Sequence, residues 1–385
     1  MWRAIASNAL TILVVGLFLM GGLILWGQTQ YKAEGPLETA ICLQVRSGSN
    51  MTRVSQELEE QGAIRSATIF RMAADYTDRA QQLKAGSFLV REGASMEQII
   101  DEITSSGAST CGSEIEYRIG VTRAQTRVRE LNPATLDFVE IASFDPSGDE
   151  VPEAYNEKRN EADTRYRVSL AEGVTSWQVV QALKAFDALT GEVTEIPAEG
   201  MLAPDSYDVV AGQDRNDILQ AMQDKQQLRI NAVWESRQDG LPLQSPEEML
   251  ILASIIEKET GVPEERGQVA SVFVNRLKQG MRLQTDPTVI YGVTKGQGTL
   301  GRGLRRSELN RPTPWNTYQI DDLPPTPIAN PGLASLEAAV APDDTDFVFF
   351  VADGTGGHAF AETLQEHNRN VAKWREIEAE QNSGN

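Results

Sequence analysis

An α+β fold behind one membrane-spanning helix is what this sequence predicts, on three observations. Ala9 to Gly27 is an uncharged, apolar run, long enough to cross a bilayer core of about 30 Å as a helix. A strand, a Gly-containing turn and an amphipathic helix then recur between Ala40 and Phe186. From Arg215 onward helical periodicity dominates, and near the end Phe347 to Ala352 turns through DGTGG to His358 and Phe360 as a hairpin.

The first element is read as a retained anchor, because QTQYKAEG after it offers no clear small-residue cleavage site. Arg3 and the terminal amine place residues 1–8 in the cytoplasm and the bulk of the chain on the far side, with Lys32 opposing that assignment. A formal net charge of -20 argues against a nucleic-acid partner and against adhesion to an anionic lipid surface. The span is therefore the expected membrane contact. Cys42 and Cys111 both follow it; a disulfide and two buried thiols are both open. With two histidines, His358 and His367, no metal site is expected.

Ala40 to Arg46 reads as a strand, followed by a helix in MTRVSQELEEQG with Met51, Val54 and Leu58 on one face, and by a second helix over Ser66 to Tyr76. Ala85 to Gly107 repeats the plan, so residues 28–107 form a membrane-proximal domain. Residues 108–164 are expected to be a polar insert, its second half (FDPSGDEVPEAYNEKRNEAD) a solvated linker. Tyr166 to Phe186 repeats the unit again within 165–212, which ends on the turn-rich PAEGMLAPDSYDVVAG. The last domain, 213–380, opens with a helix over Arg215 to Arg237 whose Ile218, Met222, Leu228 and Trp234 are available to pack, and it closes with a helix from Glu362 to about Glu380.

The centre of that domain is Ser245 to Tyr291. Ser245, Pro246 and Glu248 form a capping box at a helix start, and Gly261 and Pro263 end the helix. Met249, Leu250, Leu252, Ala253, Ile255 and Ile256 make a broad apolar arc with Lys258 opposite, and Glu257 and Glu259 fall on opposite shoulders. A carboxyl half-buried there holds its proton to higher pH, as a general acid requires. Two positions apart, the pair cannot both reach one substrate. From spacing alone, a solvated rim is the simpler reading. A second helix follows in PEERGQVASVFVNRLKQ, burying Val269, Val272, Phe273 and Leu277 and closed by Gly280.

Beyond it, Arg282, Gln284 and Asp286 share one side if MRLQTDP is extended, with the Asp-Pro pair turning the chain. Such a strip suits sugar hydroxyls and acetamido groups, or is a polar loop. TPWNTY adds Trp315, Asn316 and Tyr318. Arg302, Arg305 and Arg306 lie in a basic loop suited to anionic groups, or simply solvated. Gly296, Gly298 and Gly301 match a nucleotide-binding spacing without the strand and helix such a motif needs.

The segment ASIIEKETGVPEERGQVASVFVNRLKQGMRLQTDPTVIYG resembles the signature of the endolytic lytic transglycosylases, the MltG or YceG-like family. PAEGMLAPDSY, TPWNTY, LPPTPIANPG, FVFFVADGTGGHAF and EHN continue the likeness. The resemblance implies LysM-like strand/helix units ahead of a helix-rich catalytic domain. It implies that Glu257 is the acid and later the base, and that Gln284, Asp286, Asn316, Tyr318 and Arg282 contact peptidoglycan glycan strands, with no cofactor or metal. A place in the inner membrane with the catalytic part periplasmic, beside peptidoglycan synthases, follows from the same likeness. An ordinary muramidase and a non-catalytic peptidoglycan-binding scaffold are the rival functions. His358, in the family's GGH, is expected to make a structural hydrogen bond.

Overall fold

The structure, a computed structural model, describes residues 2–105, 109–148, 150–161 and 164–383, with side chains from 13 to 380. The expected boundary at 107 and 108 and the Arg3 side chain lie outside the described residues. The chain divides into two compact bodies: Met1–Glu116, Arg127–Phe144 and Glu150–Arg165 in the first, Tyr117–Thr126, Asp145–Asp149 and Tyr166–Asn385 in the second.

The first body begins with α1 (Trp2–Lys32), whose segment Leu13–Lys32 is long and apolar enough to cross a membrane. Next come β1 (Ile41–Val45), α2 (Met51–Glu60), α3 (Ala67–Tyr76), β2 (Gly86–Val90) and α4 (Met96–Thr104). β1 pairs antiparallel with β2, Ile41 opposite Val90 and Val45 opposite Gly86. Asn50, Ser66 and Ser95 cap the three helices through their side chains. Leu43, Val54, Leu58, Phe70, Phe88, Ile99, Ile100 and Ile103 fill the core. Cys42 and Cys111 are bonded to each other, with Cα atoms 5.6 Å apart, which resolves the open pairing.

The stretch expected to be a polar insert holds β3 (Ser113–Ile119), β4 (Ala124–Asn132) and β5 (Asp137–Phe144), and its second half, expected to be a solvated linker, holds a short helix α5 (Glu153–Lys158). Its polar residues are the reason it misleads. Glu114, only 1% exposed, is paired with Arg129 and Arg165, and both guanidiniums also lie over the Phe138 ring. Buried charges of this kind are tolerated when paired, and a hydrophobicity pattern does not register them.

The second body contains β6 (Arg165–Leu170) from Tyr166 on, α6 (Ser176–Ala185), β7 (Ser206–Val209), α7 (Arg215–Glu235), α8 (Pro246–Glu259), α9 (Arg266–Lys278), α10 (Asp286–Thr294), α11 (Arg306–Leu309), α12 (Leu333–Val340), β8 (Phe349–Ala352), β9 (His358–Ala361) and α13 (Leu364–Ser383). β6 pairs antiparallel with β7, Tyr166 opposite Val209, and β8 and β9 form the expected hairpin. The turn into α6 repeats the turn into α4: a left-handed glycine (Gly93, Gly173), then a Ser or Thr cap in a reciprocal box with Gln98 or Gln178.

α8 is the axis of the core. Every residue from Met249 to Ile256 is buried, Ile251 and Ser254 included, so the apolar surface wraps the helix rather than forming one arc. Burying its six large apolar side chains contributes on the order of 10 kcal/mol, far more than any cap, so packing fixes where its C-terminal end points. The capping box is half formed: Ser245 accepts from the Glu248 N–H, but Glu248 turns to the Gln244 N–H, 2.6 Å away. In α7 the expected Leu228 is 70% exposed. At 100° per residue it lies roughly 150° from the face of Ile218, Met222, Ile230 and Val233. Gln226 shares that buried face, donating to the Gly200 and Pro331 carbonyls.

Candidate active site

Glu257 leaves the last turn of α8 towards the start of α12. Its Oε2 accepts from the Gly332 N–H at 3.1 Å and the Ser335 hydroxyl at 2.7 Å. The positive end of a helix dipole favours a carboxylate in that seat. Gly332 is required there: a Cβ would collide with the Glu172 carboxyl, which lies on the other side of the same residue. Burial, reinforced by the charge of Glu257, raises the pKa of Glu172.

The loop that carries Gly332 is locked by Asn330, fully buried. Its Oδ1 accepts from the Leu202 N–H at 2.8 Å, its Nδ2 donates to the Val174 carbonyl at 2.9 Å, and its backbone accepts from the Gly173 N–H at 2.9 Å. Asn330→Ala leaves the buried Leu202 N–H without a partner and opens a void, so a loss of about 2–3 kcal/mol is expected, read as a lower denaturation midpoint in urea.

Lys258 is not turned to solvent opposite the arc, as expected. It is half-buried, donates to the Gly173 carbonyl at 3.2 Å, and has a pKa lowered by burial. It lines a cavity of about 250 Å³ with Thr175, Gln178, Tyr291, Leu300 and Ile328. Behind the wall, Glu199 of the PAEGMLAPDSY motif accepts from the Ser176 N–H at 2.8 Å and from the Tyr291 hydroxyl at 3.2 Å. Burial raises its pKa despite those bonds.

Glu259 leaves the helix on the other side, where the Thr285 hydroxyl donates to it. Burial raises its pKa, and the Asp286 charge adds to the effect. A raised carboxyl favours folding most while it stays protonated, so this contribution is present below the ordinary glutamate value and is lost as the pH climbs through the raised one. The melting temperature of Glu259→Gln should therefore gain on the native chain as pH rises from 4 to 8; a constant difference would contradict this.

The residues expected to bind sugar gather on the Glu259 side. Asp286 does not turn the chain: it opens α10, with Pro287 next, because proline suits a first helical turn. Its Oδ1 accepts from the Tyr318 hydroxyl at 2.7 Å. The strip Arg282, Gln284, Asp286 is not extended, since Gln284 adopts φ 50°. Gln284 is exposed, while Arg282 pairs with Asp321 at 2.8 Å and reaches the Tyr318 carbonyl. Asn316 is 1% exposed, with its Nδ2 donating to the Glu308, Leu309 and Arg311 carbonyls and its Oδ1 accepting from the Tyr318 N–H. It is a latch for its loop, not a wall of a cleft. Trp315 Nε1 donates to Thr326, and Lys295 lies 3.4 Å over its ring.

Arg302 is clamped by both oxygens of Glu308. His358 makes the expected structural bonds, its N–H and Nδ1 each 2.8 Å from the Glu265 carboxylate. Ser335, Asn330, Glu172 and Tyr291 were not singled out by sequence; the Asn-Pro-Gly in LPPTPIANPG, a turn signal within the similar segment, was the available pointer.

These features can be set beside known proteins. A protein of Bacillus subtilis named endolytic murein transglycosylase is 30% identical over 363 residues, covering 92% of this chain and 91% of its own length. One of the same name from Streptococcus pneumoniae is 24% identical, covering 86% of this chain and 57% of its own. A crystal structure of a yceG-like protein from Listeria monocytogenes superposes with a TM-score of 0.45 at 24% identity, covering 86% of this chain and 99% of that one. The model of the YceG-like family matches residues 43–140 and 144–373. With most of its length matched and its central glutamate helix inside the match, the chain belongs to the YceG-like family.

Proposed function

We propose that this chain is an endolytic murein transglycosylase in which Glu257 is the single acid and base. It cuts the bond between N-acetylmuramic acid and N-acetylglucosamine inside glycan strands. The observation that carries the reading is the seat of Glu257: Oε2 is fixed by Gly332 and Ser335, leaving Oε1 for a substrate. Oε1 protonates the glycosidic oxygen, and the resulting carboxylate takes the proton of the muramoyl C6 hydroxyl as that oxygen attacks its own C1. The product is a 1,6-anhydro end. A hydrolase needs a second carboxylate for water or a covalent intermediate; here the substrate is its own nucleophile.

Asp286, Tyr318, Gln284 and Arg282 form a polar ledge that borders the path of the strand, and Asn316 holds that ledge in place. The strand, helix, helix, strand order of β1 to β2 supports LysM-like glycan-binding units. α1 supports a single-pass anchor; we place that anchor in the inner membrane, with the remainder periplasmic, where the chain ends nascent strands beside their synthases. Cleavage in ¹⁸O-labelled water tests the reaction. Products free of the label are expected, whereas label at the new ends would mean an ordinary muramidase, and no cleavage would favour the binding scaffold.

A further inference from the structure

Lys258 poses a problem that the reaction above does not resolve. A cation withdrawn from water is costly unless it is paired, yet among the described residues its one hydrogen bond goes to a neutral carbonyl, that of Gly173. Glu257 and Glu199 act on it by charge alone: among the described residues neither forms an ion pair with it, and their hydrogen bonds go to Gly332 and Ser335 and to Ser176 and Tyr291. Among the described residues, Lys258 is also the one charged side chain lining the 250 Å³ cavity, whose other walls combine apolar Ile290, Leu300 and Ile328 with the hydroxyl of Thr175 and the amide of Gln178. That volume is below the ~300–1,000 Å³ of pockets that take a whole ligand. It suits one arm of a larger molecule, partly apolar and ending in an anion.

We propose that Lys258 receives a carboxylate on the side arm of the muramoyl residue, and that this contact selects carboxylate-bearing strands. The inference rests on the transglycosylase reading for its substrate class. Geometry joins it to the acid: a Cβ at Gly173 would lie 3.5 Å from Lys258 Cδ and 3.7 Å from Glu257 Cγ. An arm seated on Lys258 therefore brings the sugar that carries it alongside Glu257. The arm's carboxylate is either the lactyl group itself or one on the stem peptide attached to it.

The test uses the full chain in detergent micelles, with Glu257→Gln so that strands are not consumed. Uncrosslinked glycan strands are titrated in three forms: bearing stem peptides, stripped to the free lactyl carboxylate, and with every carboxylate amidated. Adding Lys258→Met should weaken at least one acidic form by roughly 10- to 100-fold, the scale of a charge-assisted hydrogen bond, and leave the amidated form unchanged. Lys258→Arg should retain most of the binding, and the melting temperature of each variant shows whether it is folded. A loss on stripped strands assigns the lactyl carboxylate, and a loss confined to peptide-bearing strands assigns the stem peptide. Equal losses on all three forms, no loss on any, or no binding by the parent would overturn the proposal. Tight, Lys258-dependent binding with no cleavage by the native chain would instead sink the transglycosylase reading and leave this contact standing.

Discussion

Glu257→Gln is expected to lower the rate of strand cleavage by about 10²- to 10⁴-fold, the usual contribution of general acid–base catalysis, while the protein stays folded and still binds glycan. Glutamine is close to isosteric and keeps a side-chain oxygen for the Gly332 N–H and the Ser335 hydroxyl, but it has no proton to give the leaving oxygen. The loss should appear in the turnover number and not in substrate binding, since the missing interaction matters only in the transition state. Glu259→Gln is the control. It removes a carboxyl held by Thr285 on the other side of α8, and turnover should stay within a few-fold of native.

The second large effect concerns the first body. The Cys42–Cys111 bond closes a loop with a sequence separation of 69, which in the chain-entropy account restricts the unfolded state by about 4 kcal/mol. Replacing both cysteines by serine should lower the unfolding transition of that body by on the order of 10 °C. The transition of the second body, which holds neither cysteine, should stay in place. Adding reductant to the native chain should reproduce the shift, and a single transition moving as a whole would contradict the assignment.

Much of the architecture was legible because it rests on local signals. The cap at Ser245, the glycine turns before α4 and α6, and the hairpin around DGTGG all declare themselves within a few residues. What was not legible depended on partners distant in the chain. Glu114 reads as a surface acid until Arg129 and Arg165 are folded against it. Gln226 and Leu228 exchange the places that hydropathy assigns them, because only Gln226 meets two stranded carbonyls. Asn316 looks like a sugar-gripping amide and is used up by its own loop. The division of Glu257 from Glu259 followed from helical spacing, but what each faces did not. Gly332, 75 residues after Glu257 in sequence, supplies the seat of one together with Ser335 of α12, and Thr285, just ahead of α10, supplies the partner of the other.

The placement of the acid is therefore the claim to test most directly. A crystal structure of the Glu257→Gln chain bound to an uncrosslinked glycan oligomer would do so. The account predicts a glycosidic oxygen, on the C1 side of a muramoyl residue, within hydrogen-bonding distance of the side chain at 257, about 2.6–3.2 Å. Glycan whose scissile bond lies instead against Glu259 and Asp286, with position 257 still closed against Gly332 and Ser335, would contradict it.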